Sequence, residues 1–239
     1  MTFRQAWATA AIASGMMVCS MACDYRPEPS GPMETLPVDV PLGHSERANM
    51  EMDMAAGEFN LEGGATDLLN GTIEYNVPSW KPVIDTSMVG NSTAVTIKQP
   101  EGHHPHGNTH YIWDLKVNNK VLLDLGLNCG AGHDTLRLGD TRLRTLNVHI
   151  GAGQVDVDLR GHPTHDYDVA VSGGVGQATV HLPQDVGIRA EAHGGIGQIN
   201  VTGLEKKGDH WENATYDTAK VTVRVKVEGG IGQISILAD

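Results

Sequence analysis

The densest group of metal-capable side chains in this 239-residue chain is His103-His104-Pro105-His106-Gly107-Asn108-Thr109-His110. Imidazole nitrogens suit zinc, copper and nickel alike. The four histidines follow no recognised ligand spacing, and Pro105 and Gly107 put them on an exposed hairpin loop. His103, His104, His106 and His110 are therefore candidates for adventitious metal binding, and no resident metal or other cofactor is expected. Gly173-Gly174-Val175-Gly176 looks like a phosphate loop, but such loops need a helix N-terminus behind them. Here strand-like alternation follows instead. A calcium-binding β-roll needs an Asp at a fixed place in every repeat. The corresponding positions are Asp134, Val155, Ala178, Ile199 and Ile234, and one acid cannot build that ladder.

Acid–base chemistry has equally little to stand on. Asp156, Asp158, His181 and Glu191 fall on outward-facing strand positions, where β-helix enzymes assemble sites from neighbouring rungs. That face is poor in the Arg, Lys and aromatic residues such enzymes display along a groove. Isolated outward acids serve solubility and edge protection. Of three cysteines, Cys19 and Cys23 lie in the N-terminal segment, so no disulfide is expected in the folded part. Cys129 alternates with Leu125 and Leu127 and reads as a small buried residue; His133 is the only base near enough in sequence to activate it. The net charge of −12 and the 5% aromatic content oppose nucleic-acid binding and stacking clefts. They suit a basic partner, or one held through polar contacts.

The elements that must position any site are written in a recurring phrase. It reads Gly151-Ala152-Gly153-Gln154, Gly174-Val175-Gly176-Gln177, Gly195-Ile196-Gly197-Gln198 and Gly230-Ile231-Gly232-Gln233. Weaker copies are Gly130-Ala131-Gly132-His133 and Ala55-Ala56-Gly57-Glu58. The period is about 22 residues, with a longer gap before the last copy, and periods of that size mark stacking units. After each copy the residues alternate, as in Gln154-Val155-Asp156-Val157-Asp158-Leu159, which predicts a strand with one dry face. A second strand follows in each unit, at Tyr167 to Val171, Ile188 to Ala192 and Val221 to Val227. One unit is thus strand, turn, strand and glycine corner. Glycine permits the corner's positive φ or close backbone approach. Stacked corners would bring Gln154, Gln177, Gln198 and Gln233 into an amide ladder.

The expected fold is all-β: a parallel β-solenoid, a single-stranded, right-handed β-helix-like stack of about 22-residue rungs with Gly-x-Gly-Gln corners. A meander of hairpins is the alternative, and it would need two-residue turns such as Asn70-Gly71. Residues 125–239 are read as regular rungs with an inserted loop at 203–218, carrying Trp211 and Tyr216 as packing candidates. Residues 48–124 form a less regular β region with Phe59 and Leu61 inward, and helical periodicity is weak apart from Thr66 to Leu69.

Residues 1–22 read as a secretory signal, with Arg4 before an apolar run too short to span a bilayer. Ser20-Met21-Ala22-Cys23 resembles a bacterial lipobox, which makes Cys23 the lipidation candidate. Residues 23–47, with Pro27, Pro29, Pro32, Pro37 and Pro41, read as a Pro-rich tether. The expected address is the bacterial cell envelope, reached by export across the inner membrane and held by the lipid, facing periplasm or exterior.

From Ala48 to Asp239 the chain resembles the toast-rack family of bacterial envelope proteins. That family includes the C-terminal domain of Lia-type cell-wall-active-antibiotic response proteins and related adhesin-like domains. The likeness rests on Ala56-Gly57-Glu58-Phe59-Asn60-Leu61-Glu62-Gly63-Gly64-Ala65 and Leu68-Leu69-Asn70-Gly71 with Tyr75 and Pro82. Leu127-Asn128-Cys129-Gly130-Ala131-Gly132 and the later Gly-x-Gly-Gln copies complete it. The resemblance implies a non-enzymatic solenoid for binding, scaffolding or stress sensing, and brings no catalytic residues. Lia-type proteins carry transmembrane helices before the domain; this chain carries the signal and Cys23 instead. Its expected partners are the membrane, through the lipid, and an envelope protein or cell-wall component; self-association is left open. The alternative is a polysaccharide-active enzyme or a metal-binding envelope protein using the His103–His110 loop.

Overall fold

In the computed structural model, residues 28–100, 105–106 and 108–239 are described. The chain runs through β1 (Glu28–Pro29), β2 (Glu34–Val40), β3 (Arg47–Gly63), β4 (Leu69–Tyr75), β5 (Val83–Val89), β6 (Ser92–Lys98) and β7 (Pro105–His106). It continues through β8 (Tyr111–Val117), β9 (Leu122–Arg137), β10 (Arg142–Asp158), β11 (Tyr167–Leu182) and β12 (Gly187–Thr202). The last elements are β13 (Glu205–Lys207), β14 (His210–Glu212) and β15 (Thr222–Ala238). Among the described residues the only helix is a 3-10 turn at Pro78–Trp80. All strands but β1 and β7 join one 13-stranded sheet. The protein is a parallel, β-solenoid-like stack.

Each principal rung is one strand. β3, β9, β10, β11, β12 and β15 are 16 or 17 residues long and pass through the glycine corner without losing register. The two strands per unit expected from the alternation are therefore two arms of a single element. Inward rows stack in register. Met52, Leu127, Val148, Val171, Val227 and Ala192 form one row on the first arm; Leu61, Leu136, Val157, Val180, Ile236 and Val201 form one on the second. All of them except Val201 are buried, and both rows belong to one hydrophobic cluster. Burying each such side chain contributes about 1.5–3 kcal/mol before the entropy of ordering the chain is charged against it.

The corners explain the glycines. A Cβ on Gly232 would drive into the carbonyl oxygen of Gly176, one on Gly176 into that of Gly153, and one on Gly153 into that of Gly132. Gly153, Gly176 and Gly232 also carry φ values of 138°, 143° and 142°, which side-chain-bearing residues seldom adopt. A parallel column of contacts joins Gly130, Gly151, Gly174, Gly230 and Gly195.

The spatial order departs from chain order. β15 lies between β11 and β12, so the last strand of the chain enters the stack one place early. The glutamines consequently stand as Gln154, Gln177, Gln233, Gln198. The crossover uses the insertion at 203–218. Its β13–β14 hairpin pairs antiparallel with β12 at Arg189 and Ala190 and covers that part of the outer strand. Glu212, buried at the hairpin base, receives Lys207 at 3.1 Å, His210 at 3.0 Å and Arg189 at 3.7 Å.

One further expectation needs correction, and the meander alternative loses its turn. The Pro-rich stretch does not stay outside the fold to residue 47. Glu34–Val40 pairs antiparallel with β4, because Val38 and Val40 bury on the core face and Pro37 sits on an edge where its missing N–H costs nothing. Asn70-Gly71 lies inside β4 and makes no hairpin turn: Gly71 is there to let the Asp114 carbonyl approach. Two-residue hairpin turns occur among the described residues at Gly90-Asn91, between β5 and β6, and at Gly208-Asp209, between β13 and β14, with Gly90 at φ 63° and Gly208 at φ 68°.

A Gly232→Ala variant should lose about 3–5 kcal/mol of unfolding free energy in urea, since both its φ and its neighbour's carbonyl oppose the methyl. Gly208→Ala, with φ 68° and nothing within 4 Å, should lose only about 1–2 kcal/mol. Equal losses would show that carbonyl stacking is not what selects glycine at the corner.

Candidate functional site

Three surfaces follow from the stack. On the outer side of the first arm, Lys98, Asp53, Asn128, His149, Ser172, Glu228 and His193 form one row across seven strands. Lys98 Nζ lies 3.1 Å from Asp53 Oδ2, and Asn128 Nδ2 donates to Asp53 Oδ1 at 2.7 Å. His149 Nδ1 bonds the Ser172 hydroxyl. No carboxylate among the described residues holds the other ring nitrogen, so the pair lacks the orienting third group of an activated serine.

The second surface is the corner. Its middle residues run Ala56, Ala131, Ala152, Val175, Ile231, Ile196 along the stack, growing from methyls to full aliphatic chains. Val175 and Ile231 are each 52% exposed and Ile196 is 71% exposed, an apolar ridge along the corner. The glutamines, with Val175 and Ile231, line a shallow groove of about 680 Å³, open to solvent. Among the described residues, the amide ladder is bonded from rung to rung once, Gln154 Nε2 donating to Gln177 Oε1 at 3.4 Å. Gln233 turns instead to Ser235 Oγ within its own strand, at 3.1 Å. The ridge escaped sequence reasoning because the middle position of the motif looked like a variable spacer. Its signal was the growth in residue size along the chain.

The third feature is inside the corner. Met54 and Phe59, Cys129 and Asp134, Ile150 and Val155 occupy the positions flanking three successive corners; later corners hold Gly173 with Ala178, Gly229 with Ile234 and Gly194 with Ile199. The interior is filled at one end by Phe59, Trp113 and Tyr111, with ring centroids 5.9 Å apart in each contact. At the other end glycines leave a small pocket of about 60 Å³, lined by Ile199 and Ile234 among others. Asp134 is fully buried in the filled part, and its oxygens have no full hydrogen-bond partner, only the weak S–H donor of Cys129 beside them. Burial raises its carboxyl from 3.8 to about 6, opposed in part by the Cys129 thiol and by His133. Cys129 is buried as well; desolvation and the Asp134 carboxylate push its thiol far up, away from nucleophilic use.

The other sequence candidates are scattered. Asp158 sits beside His181 in register, but the Arg160 guanidinium grips it at 2.7 and 3.0 Å and holds its carboxyl below the usual range. That makes it a poor general acid. Glu191 pairs with Arg189 at 3.9 Å. His110 lies 3.6 Å from Glu74, and its backbone N–H donates to Asn76 Oδ1 at 2.8 Å. His106 is placed in β7, whereas His103, His104 and Cys23 lie outside the described residues. Among the described residues no three metal-capable side chains converge, and no helix is long and apolar enough to cross a membrane.

The continuous strands, glycine columns and open corner define a repeat protein of the parallel β-solenoid class. The model for the N-terminal domain of toast_rack matches residues 30–181, and that for the cell wall-active antibiotics response LiaF C-terminal domain matches residues 132–236. The chain belongs to the toast-rack family. Its fold is similar to the crystal structure of a candidate cell adhesion protein from Clostridium sporogenes ATCC 15579. That protein is 28% identical, with a TM-score of 0.84 over 87% of this chain and 100% of that one. A candidate adhesin from Bacteroides fragilis NCTC 9343 is 13% identical, with a TM-score of 0.39 over 87% of this chain and 99% of that one. No curated protein matches.

Asp134 generates a prediction with a definite sign. Between about pH 4 and 6 the unfolded chain releases a proton that the folded chain keeps, so rising pH drains stability, and the loss is complete above about pH 6. The shift corresponds to about 3 kcal/mol. Asp134→Val, which copies Val155 of the next rung, should be more stable than the parent at pH 7, and the gap should shrink by about 2.5 kcal/mol at pH 4. Denaturant melts at both pH values measure it; a gap independent of pH would mean that Asp134 does not titrate in this range.

Proposed function

We propose that this protein is an extracytoplasmic contact module of the bacterial cell envelope, held to a membrane through Cys23. Its corner ridge and glutamine groove engage an envelope protein or a cell-wall polymer. The observation that carries this reading is the ridge itself. Three aliphatic side chains, each more than half exposed, line up across neighbouring strands beside a groove floored by uncharged amides. Strands about 4.8 Å apart repeat that chemistry along the stack, which favours an extended partner lying across several rungs over a small molecule in a closed pocket. Family membership supports the envelope setting, since one matching model is described as a cell wall-active antibiotics response domain. The likeness to a candidate adhesion protein supports contact as the task. A role in stress sensing would follow if the partner were a signalling protein.

Purified chain carrying Val175→Asp and Ile231→Asp should be retained by envelope fractions of its own source about tenfold less than the parent, with an unchanged circular dichroism spectrum. Equal retention would remove the ridge as the contact surface. For the anchor, metabolic labelling with an alkyne fatty acid should mark the parent and not Cys23→Ala, and the variant should leave the membrane fraction. Equal labelling of both would end the lipoprotein reading.

A further inference from the structure

The inside of the filled corner holds a group that packing does not account for. Asp134 is fully buried without a full hydrogen-bond partner, although Phe59 and Val155 fill the same place in the neighbouring rungs. The thiol of Cys129, five residues earlier on the same strand, faces its carboxylate across the corner. Met54 of β3 is the register partner of Cys129, and the two sulfurs hold equivalent places in adjacent rungs. A Cβ on Gly57 would come within 3.2 Å of Met54 Sδ, and one on Gly132 within 3.4 Å of Cys129 Sγ; Gly57 and Gly132 are themselves register partners. Met54 and Cys129 are buried, yet both border a solvent-open groove of about 640 Å³ on the first-arm face, together with Asp53, Asn128 and His149. An ion entering from that groove reaches the sulfurs without crossing the core.

We infer that Met54 and Cys129 are the two ligands of a soft monovalent cation, copper(I), held inside the corner with Asp134 beside it. Rungs lie about 4.8 Å apart, so an ion midway between equivalent sulfurs is about 2.4 Å from each, and a metal–thiolate bond is about 2.3 Å. Thioether and thiolate are soft donors that suit copper(I). Two such ligands satisfy a linear copper(I) ion. Zinc in a structural site takes four, and among the described residues no third His, Cys, Asp or Glu joins Cys129 and Asp134. On binding, the thiol proton passes to the Asp134 carboxylate and the two sulfur–copper bonds form with no change of oxidation state. Thiolate and ion then cancel, the carboxyl is neutral, and no net charge stays in the core, where an unpaired one is costly. Asp134 thus acts as a positioning residue that takes up the proton and, as a carboxylic acid, donates back to the sulfur. The site lies within the corner and does not depend on the ridge of Val175 and Ile231 binding a partner.

The test uses the full chain with Cys19→Ala and Cys23→Ala, which leaves Cys129 as the only thiol. Copper(I) is titrated without oxygen against the chromophoric chelator bicinchoninate, and X-ray absorption counts the sulfur atoms around the bound ion. The background chain should take up one ion with two sulfur neighbours. Met54→Leu, which conserves volume, should bind at least about tenfold more weakly with an unchanged circular dichroism spectrum. Cys129→Ala should lose the sulfur-bound ion, and Asp134→Asn should weaken it about ten- to a hundredfold, as removal of a ligand's supporting partner does in other metal sites. Changing His103, His104, His106 and His110 to Ala together should leave the sulfur-bound ion in place. Met54→Leu keeps the proposal falsifiable even where Cys129→Ala fails to fold. Affinity unchanged by Met54→Leu, copper held through nitrogen and oxygen alone, or loss of the ion in the four-histidine variant would overturn the proposal.

Discussion

The structure depends on one steric fact: at each corner the backbone of a rung lies directly against a carbonyl oxygen of the rung before it. Two columns of glycine meet that demand, and any Cβ in them would force successive strands apart. Because the strands stay hydrogen-bonded through the bend, the inward rows of both arms remain in register from β3 to β12. The core is thus a consequence of the corner, since rows of Val, Leu and Ile interlock only when the rungs do not slip. The amides of Gln154, Gln177, Gln233 and Gln198 follow from the same register, and the rung-to-rung bond between Gln154 and Gln177 adds little to it.

Along the stack the packing changes character. At the β3 end Met54, Phe59 and Trp113 fill the inside of the corner, and antiparallel strands close over them. At the β12 end glycines replace the large inward residues, while the middle residue of the motif grows outward into an exposed aliphatic chain. Apolar volume has moved from the inside of the corner to its outside. A fold selected for stability alone would gain by keeping those methyl groups buried. Asp134 is the exception at the filled end. Its carboxyl takes a position held by Phe59 and Val155 in neighbouring rungs, and burial without a full hydrogen-bond partner makes it a cost carried by the native state.

Much of this was legible in the residues. The period, the alternation after each Gly-x-Gly and the inward places of Phe59 and Leu61 led to a parallel solenoid-like stack, because hydrophobic alternation and corner chemistry are local properties. The site was less legible. Asp134 drew notice only as the lone acid among positions a calcium roll would need, and nothing local told that it is buried. Val175, Ile196 and Ile231 are only the x of Gly-x-Gly-Gln in the sequence, since exposure at a bend depends on which side of it the next strand packs. Asn70-Gly71 carried a hairpin signature and sits inside a strand, because the approach of Asp114 from β8 uses the same glycine tolerance that a turn would.

What the sequence by itself determined is the rung: its length, its bend, its dry face, and the glycines without which it could not stack. Those are short-range consequences of φ, of side-chain alternation and of the missing Cβ. Tertiary structure alone decided the order of the rungs. The four Gly-x-Gly-Gln copies are nearly interchangeable as neighbours, so local chemistry cannot say that β15 belongs between β11 and β12. That placement is set by the crossover, whose β13–β14 hairpin covers one arm of β12 and leaves the other as the free end of the stack.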